Sequence, residues 1–148
     1  ADGEKYSPEG MEDSLADGSK YIEQVILHNN QDPYTIAIIV PNQESLKEFA
    51  IGKGLMPESE EAKKAMLQKI QDEVNEYRHG KYANMFPEMC IPKALAIVEE
   101  AFTEQNHMMN STMKVVRGKV EEHYADRIKY AYTPEGKNIV NEMNMASL

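Results

Sequence analysis

The sequence predicts a small α+β domain in which helices cover both faces of a three-stranded mixed or antiparallel sheet. Three short β-prone runs, Ile22 to His28, Tyr34 to Val40 and Ala94 to Val98, are separated by segments with helical periodicity. The run from Tyr34 to Val40 shows almost no polar alternation, which is typical of a strand that is covered on both faces. Layers of helix on either side of the sheet would bury it.

A helix and a hairpin are expected at the beginning of the chain. Ser7 and Pro8 form a helix-start signal, because serine can cap exposed amides and proline lacks an N–H that would be unpaired there. This helix should end near Gly18. The turn-rich link from Asn29 to Pro33 has hairpin length, so the first two strands should pair antiparallel. The strand from Tyr34 to Val40 is then expected at the centre of the sheet.

Two amphipathic helices should follow the hairpin. The spacing of Leu46, Phe49 and Ala50 predicts a short helix that ends around residues 52–54. A longer helix is predicted from about Glu58 to Arg78, because apolar residues recur there every three or four positions. Its stripe consists of Ala62, Met66, Ile70, Val74 and Tyr77.

The second half of the chain has weaker signals. Lys81 to Pro92 contains two prolines and is assigned no element, and Glu99 to Met109 should be largely connection. A spacing of four predicts one helix from about Met113 to Ala131, and Thr133-Pro134 should open a shorter terminal helix. The apolar stripe of the predicted helix consists of Val116, Val120, Tyr124 and Ile128.

Length and charge limit the class of protein. With 148 residues the chain is about one ordinary domain, so a single domain is predicted over residues 1–148. A net charge of -9 argues against a nucleic-acid partner, because phosphates would be repelled. The single cysteine, Cys90, cannot form an intramolecular disulfide and is expected to be a buried thiol. No apolar stretch approaches the roughly 20 residues of a membrane helix, so the chain is expected to be soluble, without a transmembrane segment, and cytoplasmic.

Motifs of standalone catalysis are missing from the sequence. There is no glycine-rich phosphate loop, no Cys-x-x-Cys pair and no nucleophile elbow. The four histidines have no metal-ligand spacing, so structural or surface roles are expected and no metal site is predicted. Asn110-Ser111-Thr112 fits the N-glycosylation acceptor pattern, but without a visible secretory segment we interpret the match as chance. The histidines are His28, His79, His107 and His123.

Two motifs near opposite ends of the chain indicate a family. Gly3 to Glu12 fits the pattern Gly-x-Lys-aliphatic-x-Pro-x-x-aliphatic-Glu, apart from Tyr6 at the first aliphatic position, and Lys114 to Arg117 is a late lysine followed by an aliphatic residue and then an arginine. With the paired-strand region at 19–42 and the long helical insert, they resemble the C-terminal subdomain of long-chain acyl-CoA synthetases, in the adenylate-forming, AMP-binding family. Gly10 departs from the glutamate of many relatives, and Asn110-Ser111 departs from their usual Thr-Pro.

The resemblance implies that the chain is the C-terminal lid of an ATP-dependent, AMP-forming long-chain fatty acid–CoA ligase, whose N-terminal adenylating domain is its partner. Lys114 would contact the carboxylate and the phosphate while the acyl-adenylate forms, and Gly3 would lie beside the coenzyme A tunnel in a second conformation. The full-length enzyme would use ATP, Mg²⁺, coenzyme A and a fatty acid. The isolated chain is expected to hold none of them tightly and to be inactive.

Several alternatives stay open at this point. Lys119 competes with Lys114 for the catalytic role, and each feature also has a plain structural reading, a solvated lysine or a loop glycine at Gly3. The enzyme could use another acyl substrate, or an acceptor such as a carrier protein. A noncatalytic acidic α+β interaction module would reuse the fold without the chemistry. Peripheral membrane attachment of the full-length protein is also left open.

Overall fold

The computed structural model describes residues 8–148, which form three strands and seven α-helices. The predicted α+β class is confirmed. In chain order the elements are α1 (Pro8–Gly18), β1 (Ile22–His28), β2 (Ile36–Pro41), α2 (Gln43–Gly52), α3 (Glu60–His79), a 3₁₀ turn (Glu88–Cys90), β3 (Ala94–Ile97), α4 (Arg117–His123), α5 (Ala125–Ala131), α6 (Pro134–Lys137) and α7 (Glu142–Ala146).

The sheet has the order β1-β2-β3 and is mixed. β1 and β2 pair antiparallel, with Ile26 opposite Ile38, whereas β2 and β3 pair parallel, with Ile38 opposite Ala96. Every residue of β2 is buried. The predicted hairpin and the central place of the second strand are therefore confirmed, and the alternative of an all-antiparallel sheet is excluded.

Apolar residues on the two faces of the sheet form two separate core clusters. Because side chains alternate along a strand, Ala37 and Ile39 of β2 face one cluster and Ile36 and Ile38 face the other. The first cluster includes apolar residues of α1, α2 and α3, while the second includes Phe102, Met108, Val120 and Ala131. Helices and the connection after β3 thus cover both faces, as predicted.

The helices that follow the hairpin begin at side-chain caps. The Asn42 side chain accepts a hydrogen bond from Ser45 N at 3.1 Å, and Ser59 Oγ accepts one from Ala62 N at 3.1 Å. All five residues of the predicted α3 stripe are buried. Cys90 is buried too, at the end of the 3₁₀ turn in the segment that had no sequence assignment. Within residues 8–148, no helix combines the length and the apolar character needed to cross a membrane.

The prediction of one helix from Met113 to Ala131 is wrong. Met113 has a φ of 65°, which an α-helix cannot include. Val116 is still extended, with φ −94° and ψ 98°, so α4 begins only at Arg117. A second departure occurs at Tyr124, where φ −107° and ψ 27° separate α4 from α5. Backbone bonds Tyr124 N to Val120 O and Ile128 N to Tyr124 O, both 2.9 Å, keep the spacing of four across this break. The apolar period therefore could not reveal it.

The connection between β3 and α4 is bonded to β1 through the side chain of Gln24. Gln24 Oε1 accepts a hydrogen bond from Phe102 N at 2.8 Å, and Gln24 Nε2 donates to Phe102 O at 3.0 Å. Phe102 and Met108 are buried in the second core cluster. These contacts fix the start of the loop that carries Lys114.

Side chains of the C-terminal helices bond the outer edge of β3. The Asn144 side chain accepts a hydrogen bond from Ile97 N at 2.9 Å and donates to Leu95 O at 3.0 Å. Arg127 Nη1 donates to Ile97 O at 2.8 Å, and Arg127 Nη2 donates to Asn144 Oδ1 at 2.6 Å. Burial lowers the pKa of Arg127. The end of the chain is thereby integrated into the sheet.

Candidate functional site

Lys114 lies in a tight turn between residues 109 and 115, just ahead of α4. Met109 and Val115 form an antiparallel bridge that closes the turn. Inside it, Asn110 N donates to Lys114 O at 2.9 Å and Met113 N donates to Asn110 O at 3.0 Å. The turn projects from the buried second cluster, so its base is fixed while its tip is in solvent.

The side chain of Asn110 fills the inside of this turn. Its Oδ1 accepts hydrogen bonds from Thr112 N at 3.0 Å, Thr112 Oγ1 at 2.7 Å and Lys114 N at 3.0 Å. An asparagine that bonds nearby backbone N–H groups is a common way to stabilise a turn. One side-chain oxygen thus holds three donors of the turn.

The Lys114 side chain is exposed. Among residues 8–148, no hydrogen bond or ion pair involves its ammonium group. The main chain of Lys114 is therefore held on both sides, whereas its charge is available to a ligand or to another domain. This is the arrangement that a mobile cationic group needs if it enters an active site from outside.

The two family motifs meet in the folded chain at Glu12 and Arg117. Arg117 Nη1 donates to Glu12 Oε2 at 2.7 Å and Arg117 Nη2 donates to Glu12 Oε1 at 2.9 Å. The same two side chains bond the backbone of Leu27, whose N–H donates to Glu12 at 2.6 Å and whose carbonyl accepts from Arg117 at 2.8 Å. Arg117 thus anchors the lysine turn to α1 and β1.

The other predicted site residues have different settings. Gly3 lies outside the described residues. Lys119, the competing lysine, is exposed on α4 and lines an open groove with Asn106 and His107. Since Lys119 belongs to a helix face and Lys114 to a projecting turn, the two lysines present their charges differently. Because both are exposed lysines of the same segment, Lys119 can serve as a control for mutagenesis of Lys114.

Two histidines, His28 and His123, lie close to carboxylates of the protein. His28 Nδ1 lies 2.6 Å from Glu121 Oε2, and His28 Nε2 lies 3.4 Å from Asp32 Oδ2. His123 Nε2 lies 3.1 Å from Glu100 Oε1. In the described part of the chain, no three His, Cys, Asp or Glu side chains converge as a metal site would require.

Tyr124, between α4 and α5, bonds the connection that follows β3. Its hydroxyl donates to Glu100 O at 3.1 Å. Burial, with a smaller contribution from the Glu100 carboxylate, raises the pKa of Tyr124 to about 12. The hydroxyl therefore stays protonated at neutral pH and serves as a donor that joins α4 to the connection after β3.

Sequence reasoning missed the role of Asn110. The residues Asn110-Ser111-Thr112 were interpreted as a chance glycosylation match, yet in the structure the side chains of Asn110 and Thr112 bond each other. Asparagine favours turns because its side chain can bond backbone groups two residues further on. That local signal could have indicated a turn rather than a helix start.

The fold agrees with a match to a known protein family. Residues 1–136 match the family described as AMP-binding enzyme C-terminal domain. The chain belongs to this family of AMP-binding enzyme C-terminal domains.

Two curated relatives are similar over most of the chain. "Fatty acyl-CoA synthetase B" of Dictyostelium discoideum is 30% identical over 118 residues, which cover 78% of the chain and 17% of that protein. "Probable acyl-activating enzyme 16, chloroplastic" of Arabidopsis thaliana is 28% identical over 139 residues, covering 88% and 17% respectively. The chain thus matches about a sixth of the length of each relative.

Solved structures share the fold at lower identity. The adenylation domain of a carboxylate reductase from Mycobacterium chelonae superposes with a TM-score of 0.62 and 23% identity, covering 80% of this chain and 17% of that one. The A domain of a carboxylic acid reductase from Segniliparus rugosus, in complex with AMP and a co-purified carboxylic acid, superposes with a TM-score of 0.62 and 22% identity. This match covers 88% of this chain and 18% of that one. These likenesses establish the C-terminal subdomain fold of adenylate-forming enzymes.

Proposed function

We propose that the chain is the C-terminal domain of an ATP-dependent, AMP-forming long-chain fatty acid–CoA ligase. Family membership supports acid activation, and the similarity to a fatty acyl-CoA synthetase supports the acyl substrate and the acceptor. The observation that carries the proposal is the Lys114 ammonium, exposed on a turn whose main chain is fixed by Asn110. Its partner would be the N-terminal adenylating domain of the same enzyme.

In the first half-reaction, a carboxylate oxygen of the fatty acid attacks the α-phosphorus of ATP. A new P–O bond forms the acyl-adenylate, and the bond to the bridging oxygen breaks to release pyrophosphate. Two anionic groups approach each other in this step, so a cation placed between them lowers the barrier. Lys114 can fill this role because its ammonium is a compact charge with three donors on a flexible stem.

In the second half-reaction, the thiol sulfur of coenzyme A attacks the acyl carbon. The C–S bond forms, the bond to the phosphate oxygen of AMP breaks, and the thiol proton is lost. The Gly3 segment would face the acceptor tunnel in this step, after a rotation that takes Lys114 out of the site.

Mg²⁺ enters the proposal as a cofactor of the full-length enzyme only. Residues 8–148 supply no cluster of three or more His, Cys, Asp or Glu side chains for a metal ion. We therefore assign no metal ligand among residues 8–148.

The test compares Lys114 and Lys119 in the full-length enzyme. Fatty-acid-dependent pyrophosphate release is measured for the unaltered enzyme, Lys114→Ala and the matched control Lys119→Ala, which removes an exposed lysine from α4. We expect Lys114→Ala to slow this step by roughly 10²–10³-fold, as removal of one such donor commonly does. Lys119→Ala should retain the rate. Thioester formation from supplied acyl-adenylate should be retained in both variants.

Each other outcome changes the proposal in a defined way. Equal pyrophosphate release by the unaltered enzyme and Lys114→Ala would overturn the role of Lys114. Adenylate formation without thioester formation, or transfer to a carrier protein instead of coenzyme A, would reassign the acceptor. A preference for another acid would reassign the substrate. No acid-dependent release from any of the proteins would favour the noncatalytic interaction module.

A further inference from the structure

We propose that Asn110 is a positioning residue for adenylation, which fixes the main chain of Lys114 so that its ammonium arrives at the reacting phosphate in one orientation. This inference rests on the proposed function of Lys114. It also gives a structural role to Asn110-Ser111-Thr112, whose fit to the N-glycosylation pattern we interpret as chance. Asn110 acts through Lys114 and need not touch a substrate.

Both backbone polar groups of Lys114 bond to Asn110. The Lys114 N–H donates to the Asn110 side chain at 3.0 Å, and the Lys114 carbonyl accepts from the Asn110 N–H at 2.9 Å. These two bonds set the direction in which the Lys114 side chain leaves the backbone. Because that side chain has several freely rotating bonds, a fixed origin limits how far its ammonium can stray.

The turn needs an internal support because its backbone is unusual. Met113 has a φ of 65°, in the left-handed region that residues with a Cβ atom rarely occupy. Thr112 and Lys114 flank this residue, and both donate to Asn110 Oδ1. The asparagine oxygen therefore spans the strained position. Alanine at position 110 would leave these donors without their acceptor and allow the turn to open.

The same geometry defines a conservative replacement. Aspartate keeps a carboxylate oxygen where the asparagine has Oδ1, so it can accept from the same donors. Alanine keeps only the backbone bonds. Asn138 provides a matched control, because its side chain accepts one bond from Val140 N at 3.1 Å on an exposed turn of another region.

The experiment measures fatty-acid-dependent pyrophosphate release by the full-length enzyme. Asn110→Ala should lower kcat by roughly 10–10²-fold, since a misplacement of about 1 Å in a catalytic group can cost about 10²-fold. The KM values for ATP and fatty acid should stay unchanged, as should thioester formation from supplied acyl-adenylate. Asn110→Asp should recover most of the rate, and Asn138→Ala should be unaffected. Amide hydrogen exchange over residues 109–117 should rise in Asn110→Ala but not in Asn110→Asp.

A double variant separates positioning from general damage. If Asn110 acts only through Lys114, then Asn110→Ala combined with Lys114→Ala is no slower than Lys114→Ala alone. A further loss in the double variant, from misfolding or from another role, would overturn the inference. Full adenylation by Asn110→Ala, together with slow adenylation by Lys114→Ala, would also overturn the inference about Asn110. The proposed function of Lys114 would then stand. Full activity of Lys114→Ala would overturn both proposals.

Discussion

Glu12 and Arg117 form a bidentate ion pair that joins α1 to the beginning of α4. The two N–O distances are 2.7 Å and 2.9 Å, and Glu12 is only 8% exposed. Each residue is the last position of one family motif. The lysine turn is therefore attached to α1 and β1, which lie far from it in the sequence.

Loss of the guanidinium should destabilise the fold. Arg117→Ala leaves the buried Glu12 carboxylate without its counter-ion, and breaking a buried pair in this way costs about 3–5 kcal/mol. Because the Arg117 side chain is 31% exposed, we expect roughly 2–3 kcal/mol in the free energy of unfolding by urea. Lys64→Ala, which removes the exposed pair with Glu60, should change it by less than about 1 kcal/mol. Equal losses in the two variants would contradict this account.

Asn144 should be among the most sensitive polar residues of the chain. It is 0% exposed, and its amide bonds Ile97 N, Leu95 O and Ile139 O. Asn144→Ala leaves these buried groups without partners, at about 1–3 kcal/mol for each. We expect a total loss of at least about 3 kcal/mol in urea unfolding.

Two further variants check this prediction. Asn138→Ala, which removes one exposed bond, should lose less than about 1.5 kcal/mol. Asn144→Asp keeps the acceptor for Ile97 N but places an oxygen against the carbonyl oxygens of Leu95 and Ile139, so its stability should also fall well below that of Asn138→Ala. A loss in Asn144→Ala no larger than that in Asn138→Ala would show that the edge of β3 relaxes without it.

Replacement by glycine should reduce the free energy of unfolding less at Met113 than at Met85. The left-handed backbone of Met113 costs an L-residue about 1–2 kcal/mol, which glycine avoids. Met85 is a suitable reference, since it is 54% exposed and Met113 is 67% exposed. Met113→Gly should therefore be about 1 kcal/mol less destabilising than Met85→Gly in urea unfolding. The same value for both would mean that the turn carries no such strain.

Stability should decline at alkaline pH because several tyrosines, Tyr124 and Tyr130 among them, have a raised pKa and ionise at a higher pH in the folded chain than in the unfolded one. Burial, and after it the hydrogen bond to Glu135, raises the pKa of Tyr130 to about 12, and Tyr124 also has a pKa of about 12. In the unfolded chain both ionise near their usual pKa of about 10. The unfolded state therefore binds fewer protons between about pH 10 and pH 12, so the free energy of unfolding should fall across that window and be unaffected below it.

The measurement is urea unfolding at several pH values from about 9 to 12. The double variant Tyr124→Phe with Tyr130→Phe should show a shallower decline than the unaltered chain, although its absolute stability is lower. In the folded unaltered chain, the absorbance of tyrosinate should appear at a higher pH than in the unfolded chain. Parallel slopes for the two proteins would rule out these tyrosines as the cause.

The sequence predicted the elements whose signals are local. β2 was recognisable because its residues are apolar without alternation, and the structure buries all of them. The stripe of α3 was equally clear, because a helix with one covered face repeats its apolar residues every three or four positions. Local spacing cannot give the direction of β3, because that direction depends on how α2, α3 and residues 80–93 carry the chain back to the sheet.

The contacts that build the candidate site are mostly long-range or internal to a turn. Glu12 and Arg117 are 105 positions apart, so no local pattern could show that they bond. The turn at Lys114 was taken for a helix start because Val116 and Val120 fit a helical spacing. The left-handed backbone of Met113 shows that this segment is a turn. The catalytic role of Lys114 and the role of Gly3 stay predictions.

The side chains on the outer strands also affect how the domain behaves in solution. Unpaired strand edges are templates on which another polypeptide can add a strand and start aggregation. At Leu27, Leu95 and Ile97 those backbone groups are already bonded by carboxylate, guanidinium and amide side chains. A domain that swings between two reactions, as we propose, can therefore leave its partner surface without offering those positions to neighbouring chains.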